Sequence, residues 1–169
     1  MKTAFLVLIL FPLLSQAQDT CKLKKETDAF THQTRISTGF VPFVSSGNQL
    51  SISVDATSTD IDIFLWLKND GKCFDDQSSV QVNFEGDRSK GNFKNSGSMN
   101  CEGAFHFTFR NTPSTPGSLQ RMTTTRIASL KITGSNKTIT DISFNEEQKK
   151  QLLRMISCVV TQGKTLIKQ

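Results

Sequence analysis

Four aspartates are the residues best suited to acid–base chemistry in this sequence of 169 residues. They form two close pairs, Asp60 with Asp62 and Asp75 with Asp76. A glycosidase needs two carboxyl groups held at a set separation across a sugar, and neighbouring acidic residues alone do not establish that geometry. We therefore interpret both pairs as solvated turn residues.

The histidines add little catalytic potential. His106 alternates with Phe105 and Phe107, so its side chain points away from the phenylalanine row, which favours a partly exposed surface histidine over a metal ligand or a general base. The sequence has no GxSxG elbow, no HExxH, no glycine-rich phosphate loop and no EF-hand spacing. We expect no catalytic residue, no metal site and no cofactor, and a hydrolase without a recognisable motif is the minority alternative.

The four cysteines, Cys21, Cys73, Cys101 and Cys158, are better explained as disulfides than as nucleophiles. None forms a CxxC pair, which argues against zinc. Three pairings are possible, and we favour Cys73–Cys101 with Cys21–Cys158 because the other pairings each join an end of the chain to its middle. The long outer loop would then contribute roughly 4–5 kcal/mol in the chain-entropy model.

Residues 1–17 have the layout of a secretory signal peptide. One charge at Lys2 precedes an apolar run and the small residues Ser15 and Ala17, so we expect cleavage after Ala17. The run is too short for a bilayer and contains Pro12. We expect a secreted, extracellular protein without a membrane span.

The net charge of the sequence is +5, and removal of Lys2 lowers it to +4. Basic residues gather towards both ends of the chain: Lys22, Lys24, Lys25, Lys149, Lys150, Arg154, Lys164 and Lys168. A patch for anionic lipid, glycan or nucleic acid is one interpretation. We favour ordinary solvated faces, and we expect no nucleic-acid partner because aromatic residues are not interleaved with the basic ones.

Alternating apolar residues dominate the middle of the chain. They occupy segments 50–54, 61–67, 80–84, 105–109, 128–132 and 142–144. Short strands of this kind, separated by Gly and Asn, predict a β-sandwich or barrel. In the second segment Phe64 and Trp66 occupy the otherwise polar face, which favours packing under a covering layer over an exposed ring on which a ligand stacks.

The pattern changes near the C-terminus. Asn145 and Gln148 have the spacing of a capping box, and apolar residues then recur at three- and four-residue intervals, so we predict an amphipathic helix that ends near Gly163. Residues 111–125 are rich in Ser, Thr and Pro, which predicts a loop, a possible site of O-glycosylation. Asn136 begins the sequon Asn-Lys-Thr, so we predict N-glycosylation there.

Polar side chains that can read sugar hydroxyls are concentrated between residues 80 and 102. Val80, Val82 and Phe84 would face inward, so that Asn83 and Glu85 face outward beside Arg88, with Asn95 and Glu102 on the next segment. Amide, carboxylate and guanidinium groups make the directional hydrogen bonds that sugars require. A solvated sheet face explains these residues equally well.

The order of segments in residues 40–144 resembles the galectin carbohydrate-recognition domain. The stretches "VQVNFEGDR", "FKNS" and "GSMNCEG" are similar to that family's H-x-N-P-R, V-x-N-S and W-G-x-E segments. Asn95 and Glu102 match, whereas Asn83 stands where the family has His, Glu85 where it has Asn, and Arg88 one residue late. Met99 replaces the tryptophan that stacks on galactose. The resemblance implies a galectin-like, jelly-roll sandwich whose galactoside site is altered or lost.

Together these observations predict four parts: a signal peptide (1–17), an N-terminal extension (18–39), a galectin-like β-sandwich (40–144) and a C-terminal helix and tail (145–169). The expected function is a secreted, non-enzymatic lectin that binds glycans or glycoproteins. The alternative is a structural or defence module on the same sandwich that binds another extracellular protein without binding sugar.

Overall fold

Two antiparallel β-sheets, two α-helices and a short 3-10 helix, Lys164–Leu166, make up the computed structural model, which describes residues 21–45, 47–68 and 71–167. The expected signal peptide lies outside the described residues. The mostly β class, with antiparallel sheets and a C-terminal helix, confirms the predicted β-sandwich.

The larger sheet has six strands in the order β1-β2-β4-β5-β8, with β3 paired to β4. Its strands are β1 Lys24–Thr27, β2 Thr34–Ser37, β3 Val41–Ser45, β4 Asn48–Ala56, β5 Asp60–Lys68 and β8 Ala104–Arg110. The first two strands fall in the segment expected to be an extension before the sandwich. Strand β1 pairs with β2, and β2 pairs with the end of β4. The large sheet therefore begins before residue 40, where we predicted that the sandwich starts.

The smaller sheet has four strands in the order β10-β9-β6-β7. These are β6 Ser79–Phe84, β7 Lys90–Lys94, β9 Ile127–Thr133 and β10 Ile139–Ser143. The inward row of β6, predicted from its alternation, is confirmed because Val80, Val82 and Phe84 are all buried. They face Phe105 and Phe107 and the other inward residues of the large sheet within one apolar core.

Helix α2, Glu146–Gly163, confirms the predicted C-terminal helix and its capping box. The Asn145 side chain accepts the backbone N–H of Gln148, and the Gln148 side chain accepts that of Asn145. The apolar stripe of α2 packs into the sandwich core. At its end Gly163 is required for space, since an added Cβ would lie 2.7 Å from that of Ala56.

Helix α1, Gly117–Thr124, corrects the prediction that residues 111–125 form a loop. Its sequence is rich in Ser and Thr, and its apolar residues are too few to show helical periodicity. Leu119 and Met122, three residues apart, are fully buried and anchor it. Packing in the folded protein therefore overrides a weak local preference.

The disulfides pair as favoured, Cys21 with Cys158 and Cys73 with Cys101. The first ties the start of the described chain to α2. The second joins the segments that precede β6 and β8. Within residues 21–45, 47–68 and 71–167, no helix is long and apolar enough to cross a membrane.

Candidate functional site

The outer face of the six-stranded sheet carries a cluster of three aromatic rings, two exposed and one partly buried, which we call the aromatic platform: Phe40, Trp66 and, between Phe40 and His106, Phe64. Trp66 is 42% exposed and Phe40 53%. On the neighbouring strands Trp66 lies opposite Ser51 and Ala104. These side chains are too small to cover an indole ring, so strand pairing itself leaves Trp66 open to solvent.

The rings of the platform hold one another in place. Phe40 packs edge to face on Phe64, with ring centroids 5.5 Å apart, and against Trp66 at 5.9 Å. The Trp66 Nε1–H donates to the backbone carbonyl of Glu102 at 3.0 Å. Phe40 follows Gly39, whose φ of 64° favours glycine and turns the chain back over the sheet. The platform is therefore preorganised, which lowers the entropic cost of binding a ligand.

A histidine–carboxylate pair continues the platform along the sheet. The His106 ring stacks on Phe64 with centroids 5.5 Å apart, and its Nδ1 lies 3.0 Å from both carboxylate oxygens of Asp62. The hydrogen bond with Asp62 raises the pKa of His106 despite its partial burial. Asp62 is thus not the solvated turn residue that we predicted, because it lies on β5 and orients His106.

Beyond the pair lies a groove of about 500 Å³, which we call the polar groove. In it the Arg35 guanidinium donates to Asp55 at 2.7 Å, and Asp55 is largely buried. Asp60 also lies on β5 and accepts the Thr59 hydroxyl at 2.6 Å. The lining residues are Gln33, Arg35, Asp55, Thr57, Thr59, Asp60, Asp62, Phe64 and Thr108.

Three of the five predicted sugar-binding residues lie away from this face. Asn83 is on the outer side of β6 in the other sheet, where its Nδ2–H donates to Ser129 Oγ at 2.9 Å. Glu85 is held by ion pairs with Arg126 at 2.6 Å and Lys149 at 2.9 Å. Arg88 is exposed in the turn between β6 and β7.

The remaining two predicted residues, Asn95 and Glu102, make hydrogen bonds that hold His106 and Trp66 in position. Asn95 is 6% exposed, and its amide oxygen accepts the backbone N–H of His106 at 3.1 Å while its Nδ2 donates to the carbonyls of Asp75 and Gly97. Glu102 is exposed and anchors Trp66 through its backbone carbonyl. The expectation that all five residues share one face is wrong, because β6 and the segment before β8 belong to different sheets.

The predicted glycosylation site lies in the turn between β9 and β10. Asn136 is exposed, and its side-chain oxygen accepts the Thr138 hydroxyl at 2.9 Å. Lys137 between them has a φ of 61°. The sequon is therefore accessible, and modification of Asn136 stays a prediction.

The predicted covering layer is present over Phe64, which is partly buried between Phe40 and His106, and absent over Trp66, which is 42% exposed. The exposure of Trp66 is explained by the small size of the residues that face it, Ser51 and Ala104. That these two residues face Trp66 is known only once the strand register is known. Arg35 was missed because β2 is too short to show alternation. Among the residues that the structure describes, no group of three or more His, Cys, Asp or Glu side chains is arranged to hold a metal ion.

Comparison with known proteins finds no matching family model, no matching curated protein and no matching solved structure. The arrangement of side chains on the two sheets is therefore the basis for any functional conclusion.

Proposed function

We propose that this protein is a secreted, non-enzymatic carbohydrate-binding module whose sugar site is the aromatic platform together with the polar groove. The observation that carries the proposal is a preorganised cluster of two exposed rings, Phe40 and Trp66, packed on the partly buried Phe64 and continuous with hydrogen-bonding side chains. Apolar sugar faces pack on aromatic rings, and sugar hydroxyls need donors and acceptors at fixed positions. Arg35, Asp60 and Asp62 supply those groups beside the platform.

The galectin-like character of residues 40–144 belongs to the same proposal. It is supported by the order of the strand segments and by the two-sheet architecture. In a galectin-like module of this kind the sugar site has moved: Trp66 supplies the stacking ring that Met99 does not. The lectin character thus rests on the face centred on β5.

Secretion is the location that fits this function. It is supported by the layout of residues 1–17 and by the two disulfides, which are compatible with an extracellular protein. A glycan on Asn136 would project from the β9–β10 turn.

A glycan array with the oxidised chain from Gln18, which we expect to be the mature protein, tests the proposal. Three proteins are compared: the wild type, Trp66→Ala and Lys131→Ala, whose substitution lies on the outer face of the other sheet. We expect the wild type and Lys131→Ala to bind the same glycans. Trp66→Ala should bind them about 10- to 100-fold more weakly, because it lacks the stacking ring.

A blank array with folded wild-type protein would contradict the proposal and favour a protein-binding module. Glycan binding that survives in Trp66→Ala but is lost in Lys131→Ala would also contradict the proposal, because the sugar site would then lie on the four-stranded sheet. Circular dichroism of each variant establishes that the fold is intact in every comparison.

A further inference from the structure

We infer that the ligand is an internal stretch of an extended, neutral polysaccharide that lies along strand β5, with several consecutive sugar rings bound. The inference rests on the proposed function and adds the ligand class. A β-1,4-linked chain of neutral hexoses or N-acetylhexosamines has this shape, because its rings are extended and present flat apolar faces.

The length of the binding surface is the first observation. Asp60, Asp62, Phe64 and Trp66 are alternate residues of β5 and all point to the outer face. At about 3.3 Å per residue, the row from Asp60 to Trp66 extends about 20 Å. A single sugar ring covers only a fraction of this length, so the row suits an oligosaccharide.

The ends of the row are the second observation. Beyond Trp66 the neighbouring Lys68 and Glu102 are exposed, and beside Asp60 both Thr59 and Arg110 are exposed. A site that recognises the end of a glycan needs a wall against which the terminal ring stops. Among the residues that the structure describes, both ends of the row are flanked by exposed side chains, so the chain can continue in both directions.

Charge excludes an anionic chain. The lining of the polar groove contains three carboxylates, Asp55, Asp60 and Asp62, and the guanidinium of Arg35. Both Arg35 and His106 already pair with a carboxylate. A uronate or sulfate would therefore meet carboxylates without gaining an uncommitted cation in the groove.

The packing of the rings excludes a quaternary ammonium ligand. An aromatic cage needs rings that stand apart with the cation between them. Here Phe40 lies in edge contact with Phe64 and Trp66, at centroid distances of 5.5 and 5.9 Å. The rings fill the space that a cation would need, so they form a surface on which sugars stack.

Calorimetry with cello-, manno- and chito-oligosaccharides of two to six units tests the inference. We expect one series to bind, with affinity that rises roughly tenfold from the dimer to the tetramer or beyond and then levels off. Asp60→Ala and Thr108→Ala, both in the lining of the polar groove, should remove most of the affinity gained between the dimer and the longer oligomers. Lys131→Ala is the matched control, and oligogalacturonate should not bind.

The outcomes separate this inference from the proposed function. If glycans bind in a Trp66-dependent way but the dimer binds as tightly as the hexamer, the extended site is wrong and the lectin proposal stands. Binding of oligogalacturonate, or of none of the three neutral series, would also overturn the inference. A blank glycan array would remove the proposed function itself.

Discussion

The outer faces of the two sheets differ in what their side chains do. On the six-stranded sheet the outward side chains of β5 from Asp60 to Trp66 are acidic or aromatic. Their neighbours hold two of them: Phe64 lies between Phe40 and His106, and Asp62 pairs with His106. On the four-stranded sheet the outward residues of β6, β7 and β9 are amides, hydroxyls and lysines. We call this second surface the lysine face: Gln81, Asn83, Lys90, Asn92, Lys94, Ser129 and Lys131.

The lysine face has no aromatic side chain among these seven residues. Its contacts are made between its own polar groups: Lys90 Nζ donates to Gln81 Oε1 at 3.1 Å, and Gln81 Nε2 donates to Asn92 Oδ1 at 3.3 Å. Exposed polar contacts of this kind compete with water and contribute little. Under the proposed function, polar side chains on a sheet make a sugar site only where apolar area and fixed geometry accompany them.

The largest expected effect comes from a matched pair of substitutions, Asn95→Ala and Asn83→Ala. Asn95→Ala should lower the free energy of unfolding by about 3 kcal/mol, because three partly buried backbone groups, of Asp75, Gly97 and His106, lose their hydrogen-bond partner. Asn83→Ala removes one hydrogen bond together with an oxygen that has no partner, so it should cost at most about 1 kcal/mol. Urea denaturation measures both.

Equal destabilisation by the two substitutions would contradict the distinction drawn between the faces. The same samples also report on binding: Asn95→Ala should weaken glycan binding because His106 and Phe64 lose their support. Asn83→Ala should leave glycan binding unchanged.

A smaller effect is expected from the pH dependence of the His106–Asp62 pair. Because Asp62 raises the pKa of His106 above 6.5, the pair's stabilisation is fully present below about pH 6.5 and is lost as the pH rises through the folded-state pKa. The unfolding free energy of the wild type minus that of His106→Gln should therefore be larger near pH 6 than near pH 9. Denaturation at both pH values measures this difference.

The control for the pH experiment is Asp62→Asn, which keeps the size of the side chain but removes its charge. In that background the substitution His106→Gln should lose most of its pH dependence. A dependence that persists would mean that another group is the partner of His106.

The smallest effect is expected from Lys131→Ala on the lysine face. Lys131 is exposed, so its loss should change the free energy of unfolding by less than about 0.5 kcal/mol. Glycan affinity should be unchanged at physiological salt. Loss of affinity in this variant would show that the lysine face takes part in binding.

Features with a strong local signal were predictable from the sequence. The alternation of β4, β5, β6 and β8 gave their inward rows, and Asn145 with Gln148 marked the start of α2. The positions of the four cysteines left three pairings open, and the favoured one is the pairing observed. Strands β1, β2, β3 and β7 have only four or five residues, too few for a period to stand out, and α1 depends on tertiary packing.

The candidate site was less predictable because it depends on which strands are neighbours. Asn95 looks like an outward amide in the sequence, yet it is buried because it bridges the segment around Asp75 and strand β8. Trp66 looks like a packed residue, yet it is exposed because Ser51 and Ala104 lie beside it. Both outcomes are set by contacts between residues far apart in the chain.

Trp66 is the single tryptophan of the sequence, so a fluorescence titration tests the central claim most directly. The tightest-binding glycan of the array is added to the wild-type protein while tryptophan emission is recorded. The account predicts a saturable shift of the emission with the same Kd as calorimetry, because the sugar displaces water from the indole ring. Calorimetric binding that leaves the emission unchanged would contradict it, since the glycan would then bind away from the aromatic platform.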